Sequence, residues 1–179
     1  MALIESRQRR ENGSINSCKG CSGIDCCGVL CEGGEIAPPF LSSYDIQQIE
    51  YFSGLKKEQF AMKRVNPITS NVINLMQTSP RQGCIFFNNR TGLCDIYAFR
   101  PVDCRLFPLD IRFVQNRYHW ALFKYSRCGN DVEKDLSQLI QYSTDALEIL
   151  RKDIHDYATF PVPGMERVGY KLLREINLS

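Results

Sequence analysis

The 179-residue sequence has no surplus of either charge, no long apolar run and only two histidines. Lysine and arginine outnumber aspartate and glutamate by 22 to 20, so bulk electrostatics points to no nucleic-acid partner and no membrane surface. No stretch approaches the roughly 20 apolar residues of a membrane-spanning helix. Arg7, Arg9 and Arg10 are followed by no apolar segment, so residues 1–17 read as a flexible lead rather than a secretion signal. The expected compartment is then the cytoplasm, where thiols stay reduced. A Ser/His/Asp signature, a P-loop, a dinucleotide-binding fingerprint, an internal repeat and a low-complexity tract are also missing.

Against these absences stand nine cysteines. Cys18, Cys21, Cys26, Cys27 and Cys31 fall in a glycine-rich stretch that cannot form a regular helix or strand but can wrap closely around an ion. Cys18 and Cys21 make a Cys-x-x-Cys pair, whose spacing lets both sulfurs reach one ion at about 2.3 Å. A thioredoxin-like redox pair would need the motif between a strand and a helix, and here it lies in coil beside three more cysteines. Cys26 and Cys27 are adjacent, so their side chains diverge and bind one tetrahedral ion only with strain. Either one is a bystander or the two serve different metals, which favours an iron–sulfur cluster over Zn2+.

Cys84, Cys94 and Cys104 follow at intervals of ten residues, with Cys128 further on. Those spacings are too long for a zinc knuckle, so ligation by these residues has to be tertiary. Any one of the four reads equally well as a small buried hydrophobe. All four beside the N-terminal group read better as thiolate ligands. Several thiolates around a divalent ion leave net negative charge, which is costly when partly buried unless donors and cations surround it. Arg100 and Arg105 flank Cys104, with Tyr97 close by and Lys19 inside the first pair. Arg100, Arg105 and Tyr97 are the candidates to surround the ligands, and a solvent-facing arginine is the plain alternative for each.

With these residues in view, the sequence resembles the zinc- or iron-chelating cysteine-cluster proteins of the CxxCxxCC family. The resemblance rests on Cys18, Cys21, Cys26-Cys27, Leu41-Ser42, Cys84, the block Cys94, Ile96, Tyr97, Arg100, Pro101, Cys104, Arg105, Pro108, and Cys128. It covers about residues 18–129. Four residues, rather than the family's more usual two, separate Cys21 from the Cys-Cys pair, and Cys31 is an extra. The resemblance implies metal or iron–sulfur binding by Cys18, Cys21, Cys26, Cys27, Cys84, Cys94, Cys104 and Cys128. One branch of the family resembles part of flagellin lysine N-methylases, yet no glycine-rich methyl-donor loop follows any strand here.

Patterning predicts an α+β fold with a small antiparallel β element, a long C-terminal helix and a Gly/Cys-rich N-terminal loop. Its expected parts are the lead at 1–17, a cysteine-cluster core at 18–129 and a helical extension at 130–179 packed on that core. Ser42 and Asp45 form a capping box flanked by Leu41 and Ile46, opening a helix from about Ser43 to Phe52 that stops at Gly54. A second helical piece is expected over Lys57–Arg64 and a buried strand over Cys84–Phe87. The turn Asn88–Gly92 then returns the chain to Cys94. Pro101 and Pro108 bound a short helix or loop, and Gln115-Asn116-Arg117 turns a hairpin. A helix over 131–158 is predicted from Leu136, Leu139, Ile140, Leu147, Leu150 and Ile154. His119 belongs on the solvent face of the hairpin and His155 near a helix end, so neither is a ligand candidate.

The function these features predict is metal binding with a redox, sensing or accessory role. A structural zinc module supporting a protein partner is the second reading. A metal-dependent protein-modifying enzyme is the third.

Overall fold

The computed structural model describes residues 38–79, 83–88, 90–91, 93–107, 109–123, 137, 140–141, 143–161 and 169–178. Its first element, β1 (Phe40–Leu41), pairs antiparallel with β3 (Val72–Met76), which also pairs with β2 (Ala61–Val65). Successive strand residues point to opposite faces. Phe40 and Leu75 therefore enter one hydrophobic cluster while Leu41 and Met76 enter another. The end of this small sheet that carries Phe40, Leu41, Leu75 and Met76 is buried on both faces and separates two cores.

Between β1 and β2 lies helix α1 (Ser43–Ser53), followed by a single helical turn, α2 (Lys57–Phe60). The capping box forms as the sequence predicts: Asp45 N–H donates to Ser42 Oγ at 3.1 Å, and Ser42 N–H donates to Asp45 Oδ2 at 3.0 Å. Leu41 and Ile46, on either side of the cap, share one core. Gly54 closes α1 in the left-handed region, with φ 73°. The second helical piece is shorter than the pattern suggests. From Ala61 the chain is a strand, because Ala61–Val65 finds a full ladder on Val72–Met76, and ladder pairing overrides weak helix propensity.

Two small ribbons follow. Strand β4 (Thr78–Ser79) pairs with β5 (Gly83–Cys84), and β6 (Phe87–Asn88) pairs with β7 (Leu93–Cys94). The expected buried strand Cys84–Phe87 is thus interrupted by a turn at Ile85 and Phe86. The turn drops Phe86 into the core beside Phe60 while Ile85 stays exposed. Tyr97–Phe99 forms a 3₁₀ turn, and α3 (Val102–Leu106) begins directly after Pro101, as the paired prolines predict.

The hairpin of β8 (Leu109–Val114) and β9 (Arg117–Phe123) turns on Gln115 and Asn116, both at positive φ, the primed geometry that suits strand twist. The single long helix does not occur. Among the described residues, 137, 140 and 141 are helical, and α4 (Thr144–Leu150) and α5 (Ile154–Thr159) are separated by a turn at Arg151–Asp153. The break keeps Leu150 and Ile154 both in the core and brings the Asp153 carboxylate to the Ser43 N–H at 3.3 Å. The end of the expected helical extension is a strand, β10 (Tyr170–Ile176), laid antiparallel on β9. The N-terminal loop lies outside the described residues.

A Cβ added at Gly54 would meet only open space, so the cost of a side chain there is the left-handed backbone itself. Gly54→Ala is expected to lower the unfolding free energy by about 1–2 kcal/mol in a urea titration. Gly54→Asn, which tolerates that region, should lose less.

Candidate metal centre

Of the eight ligand candidates, the structure describes Cys84, Cys94 and Cys104, and none of these three is in a disulfide. Cys18, Cys21, Cys26, Cys27 and Cys128 lie outside the described residues, as does Cys31. Cys84 ends β5 and is buried among Phe86, Ile96, Phe60 and Met76. Cys94 ends β7, sits opposite Phe87 rather than Cys84, and packs against the same core. Cys104 is carried by α3. Val102 and Leu106 stand one helical turn apart and face the other core, so helical geometry turns Cys104 away from them, towards the ribbons.

The three sulfurs are near enough to affect one another's ionisation. Burial pushes the Cys84 thiol up to about 11, and the nearby Cys94 sulfur adds to the shift. Burial also holds the Cys104 thiol well above its ordinary range, reinforced by Asp103, Cys84 and Cys94. Cys94 therefore opposes ionisation of Cys84, and both oppose that of Cys104. Arg100 acts in the opposite sense on Cys104, and its guanidinium lies over the Tyr97 ring at 4.1 Å. Arg105 is exposed and acts on Asp45.

Among the described residues, no three His, Cys, Asp or Glu side chains stand close enough to share one ion. What the three cysteines offer is part of a donor set. Its chemistry fits a thiophilic cation: soft sulfur ligands in apolar surroundings, kept protonated until a positive charge arrives, with one arginine already in place. His119 stands in β9 opposite Arg112 and Glu175, with Nδ1 3.2 Å from the Arg117 carbonyl, and His155 bonds the Tyr118 hydroxyl at 3.0 Å. Neither belongs to this region.

Carboxylates, rather than histidines, make the unexpected contribution. Asp95 and Asp103 both accept hydrogen bonds from residues other than arginine. Asp95 Oδ1 accepts from Asn88 Nδ2 at 3.3 Å. Asp103 Oδ2 accepts the Phe40 N–H at 2.7 Å, and its Oδ1 accepts the Tyr157 hydroxyl at 3.0 Å. Beyond capping its own helix, Asp45 accepts the Val102 N–H at 3.0 Å. Asp110 is buried against the Arg112 guanidinium and also lies within hydrogen-bonding reach of Tyr157. Burial and the charge of Asp110 push the Asp103 carboxyl up to about 6. Of this network the sequence signals only Asp45, through its capping box; the contacts of Asp103 and Asp110 are long-range.

The comparisons with known proteins fall on the same residues. The sequence matches the CxxCxxCC family, described as a zinc- or iron-chelating domain, over residues 17–122. That is more than half of the 179 residues, and the chain belongs to this family. Cys18 through Cys104 fall within the match, and Cys128 lies beyond it. Metal binding is therefore the activity that family and donor chemistry share. No solved structure matches the chain.

Arg100→Gln is expected to slow iodoacetamide alkylation of Cys104 in metal-free protein by a factor of a few, because less thiolate is present. Arg105→Gln should leave that rate unchanged. Peptide mass spectrometry of timed samples distinguishes the two.

Proposed function

We propose that the chain holds an iron–sulfur cluster, in preference to zinc, through Cys18, Cys21, Cys26, Cys27, Cys84, Cys94, Cys104 and Cys128, and serves a redox, sensing or accessory role in the cytoplasm. The observation that carries this reading is the approach of Cys84, Cys94 and Cys104, from two β ribbons and a helix, to one region, with Cys84 inside the apolar cluster that Cys94 packs against. Buried protonated thiols sit in this core at no electrostatic cost, and a cation that displaces their protons makes them thiolate ligands. The adjacent pair Cys26-Cys27 tips the choice towards a polynuclear centre. Cys31 is left outside the ligand set; Arg100, with Tyr97 beneath it, stands beside the set, and Arg105 is directed to Asp45 instead.

When bound, an iron–sulfur cluster supplies one-electron transfer at a potential set by its surroundings, whereas zinc supplies a redox-inert cross-link. In either case the residues of this chain do the same work. Phe86 and Ile96 keep water from Cys84, and Arg100 offsets thiolate charge near Cys104. Among the described residues no helix is long and apolar enough to cross a membrane. The second reading, a structural zinc module, draws on the burial of Cys84 within a hydrophobic cluster, where a metal would tie the ribbons to α3.

Anaerobically purified full-length protein is expected to be brown, with broad absorbance near about 400 nm and acid-labile sulfide in proportion to iron. Stoichiometric zinc in a colourless sample would select the structural module instead. Cys94→Ser and Cys104→Ser should each lower metal content, with Cys31→Ser close to wild type; full loading of all three would refute the ligand set. Acid should strip the metal. The raised thiols of Cys84 and Cys104 are protonated at neutral pH, so each must release a proton to bind. Affinity then rises about tenfold per pH unit for each such thiol, measurable by competition with a chelator of known pH dependence.

A further inference from the structure

The segment that leads into α1 and the segment that carries Cys104 lie far apart in sequence, and each has a carboxylate that accepts a backbone N–H of the other. Asp45 takes the Val102 N–H at 3.0 Å, two residues before Cys104. Asp103 takes the Phe40 N–H at 2.7 Å. The first contact satisfies an otherwise unpaired donor in the opening turn of α3, and the second fixes the strand residue that follows the chain bearing Cys18 to Cys31. Both are charge-assisted hydrogen bonds with little solvent to compete for them.

Asp103 is the more telling of the two. Its charge opposes ionisation of the neighbouring Cys104 thiol, which is the wrong sign for a group that would stabilise a thiolate. What it contributes is geometry.

We propose that Asp45 and Asp103 are positioning residues for the metal centre: by exchanging backbone donors they hold the Cys104 helix turn and the β1–α1 segment in register, which fixes Cys104 for metal capture. This rests on the cysteine-ligation reading above.

The two acids predict opposite responses to the same isosteric change. In Asp103→Asn, the amide oxygen can keep the Phe40 N–H while the amide nitrogen donates to the Tyr157 oxygen, and the Tyr157 proton turns to Asp110. Both contacts survive and a charge of the wrong sign is gone. In Asp45→Asn, one oxygen accepts from the Ser42 N–H and the other from the Val102 N–H, so the amide nitrogen must face a donor whichever way it turns. That register is lost.

The test uses the full-length, metal-loaded protein and follows metal release into excess chelator, together with alkylation of Cys104. All measurements run well below the lowest melting temperature among the variants. Asp45→Asn and Asp103→Ala should release metal at least about tenfold faster than wild type, the factor expected when a hydrogen bond to a charged group is lost. They should also expose Cys104 to alkylation sooner, while Asp103→Asn stays within about twofold of wild type. If Asp103→Ala does not fold, the contrast between Asp45→Asn and Asp103→Asn decides. Equal release by all variants, or Asp103→Asn failing along with Asp103→Ala, overturns the inference. Wild-type protein that purifies without metal overturns the underlying reading instead, which separates the two failures.

Discussion

The exchange of backbone donors between Asp45 and Asp103 is the constraint from which the rest of the structure follows. Asp45 is almost fully buried, at 2% exposure, and its carboxylate serves two donors from its own cap and one from α3. A buried carboxylate is tolerated only when its lone pairs are filled, so the approach of α3 to α1 is specified rather than incidental. Asp103 repeats the arrangement in the other direction and adds Tyr157 of α5. Strand β1, helices α1, α3 and α5, and through Asp110 the strand β8, are tied at one junction.

That junction lies where the two hydrophobic cores meet. Phe40 belongs to one core and Leu41 to the other, and α3 has its apolar residues in the first and Cys104 towards the second. The cysteine neighbourhood is therefore close to the polar junction while its sulfurs remain in apolar surroundings. Thiols in such a place stay protonated, and charge has to be brought in before they ionise. The burial that raises Cys84 to about 11 makes the site poor at holding thiolates alone and well suited to a cation that displaces protons.

Local chemistry made much of this architecture legible. The Ser42–Asp45 box, Gly54, the helix between Pro101 and Pro108 and the Gln115-Asn116 turn each depend on neighbours a few residues away, and each occurs as read. The errors came where tertiary pairing decided. Ala61–Arg64 looked helical until β3 offered a ladder, and the helical period through Leu150 and Ile154 hid a turn that serves Asp153. At the site, the sequence named the cysteines but could not see that Asp103 would answer to Phe40, because contacts 63 residues apart leave no spacing signature. The long-range role of Asp45 was hidden behind its local one.

The choice between a structural and a chemical role for the metal can be argued from the cores themselves. Small zinc modules depend on their ion because they bury too little apolar surface to fold without it. Here Trp120, Ile111, Leu109, Leu150 and Ile154 pack together in a cluster that contains no cysteine. Sheet β8–β9–β10 and helices α4 and α5 are built on that cluster, whose burial is worth about 1.5–3 kcal/mol for each large side chain. A fold with such a core has little need of an ion to staple it. That larger core is the argument for the proposed redox or sensing role over the proposed structural zinc module.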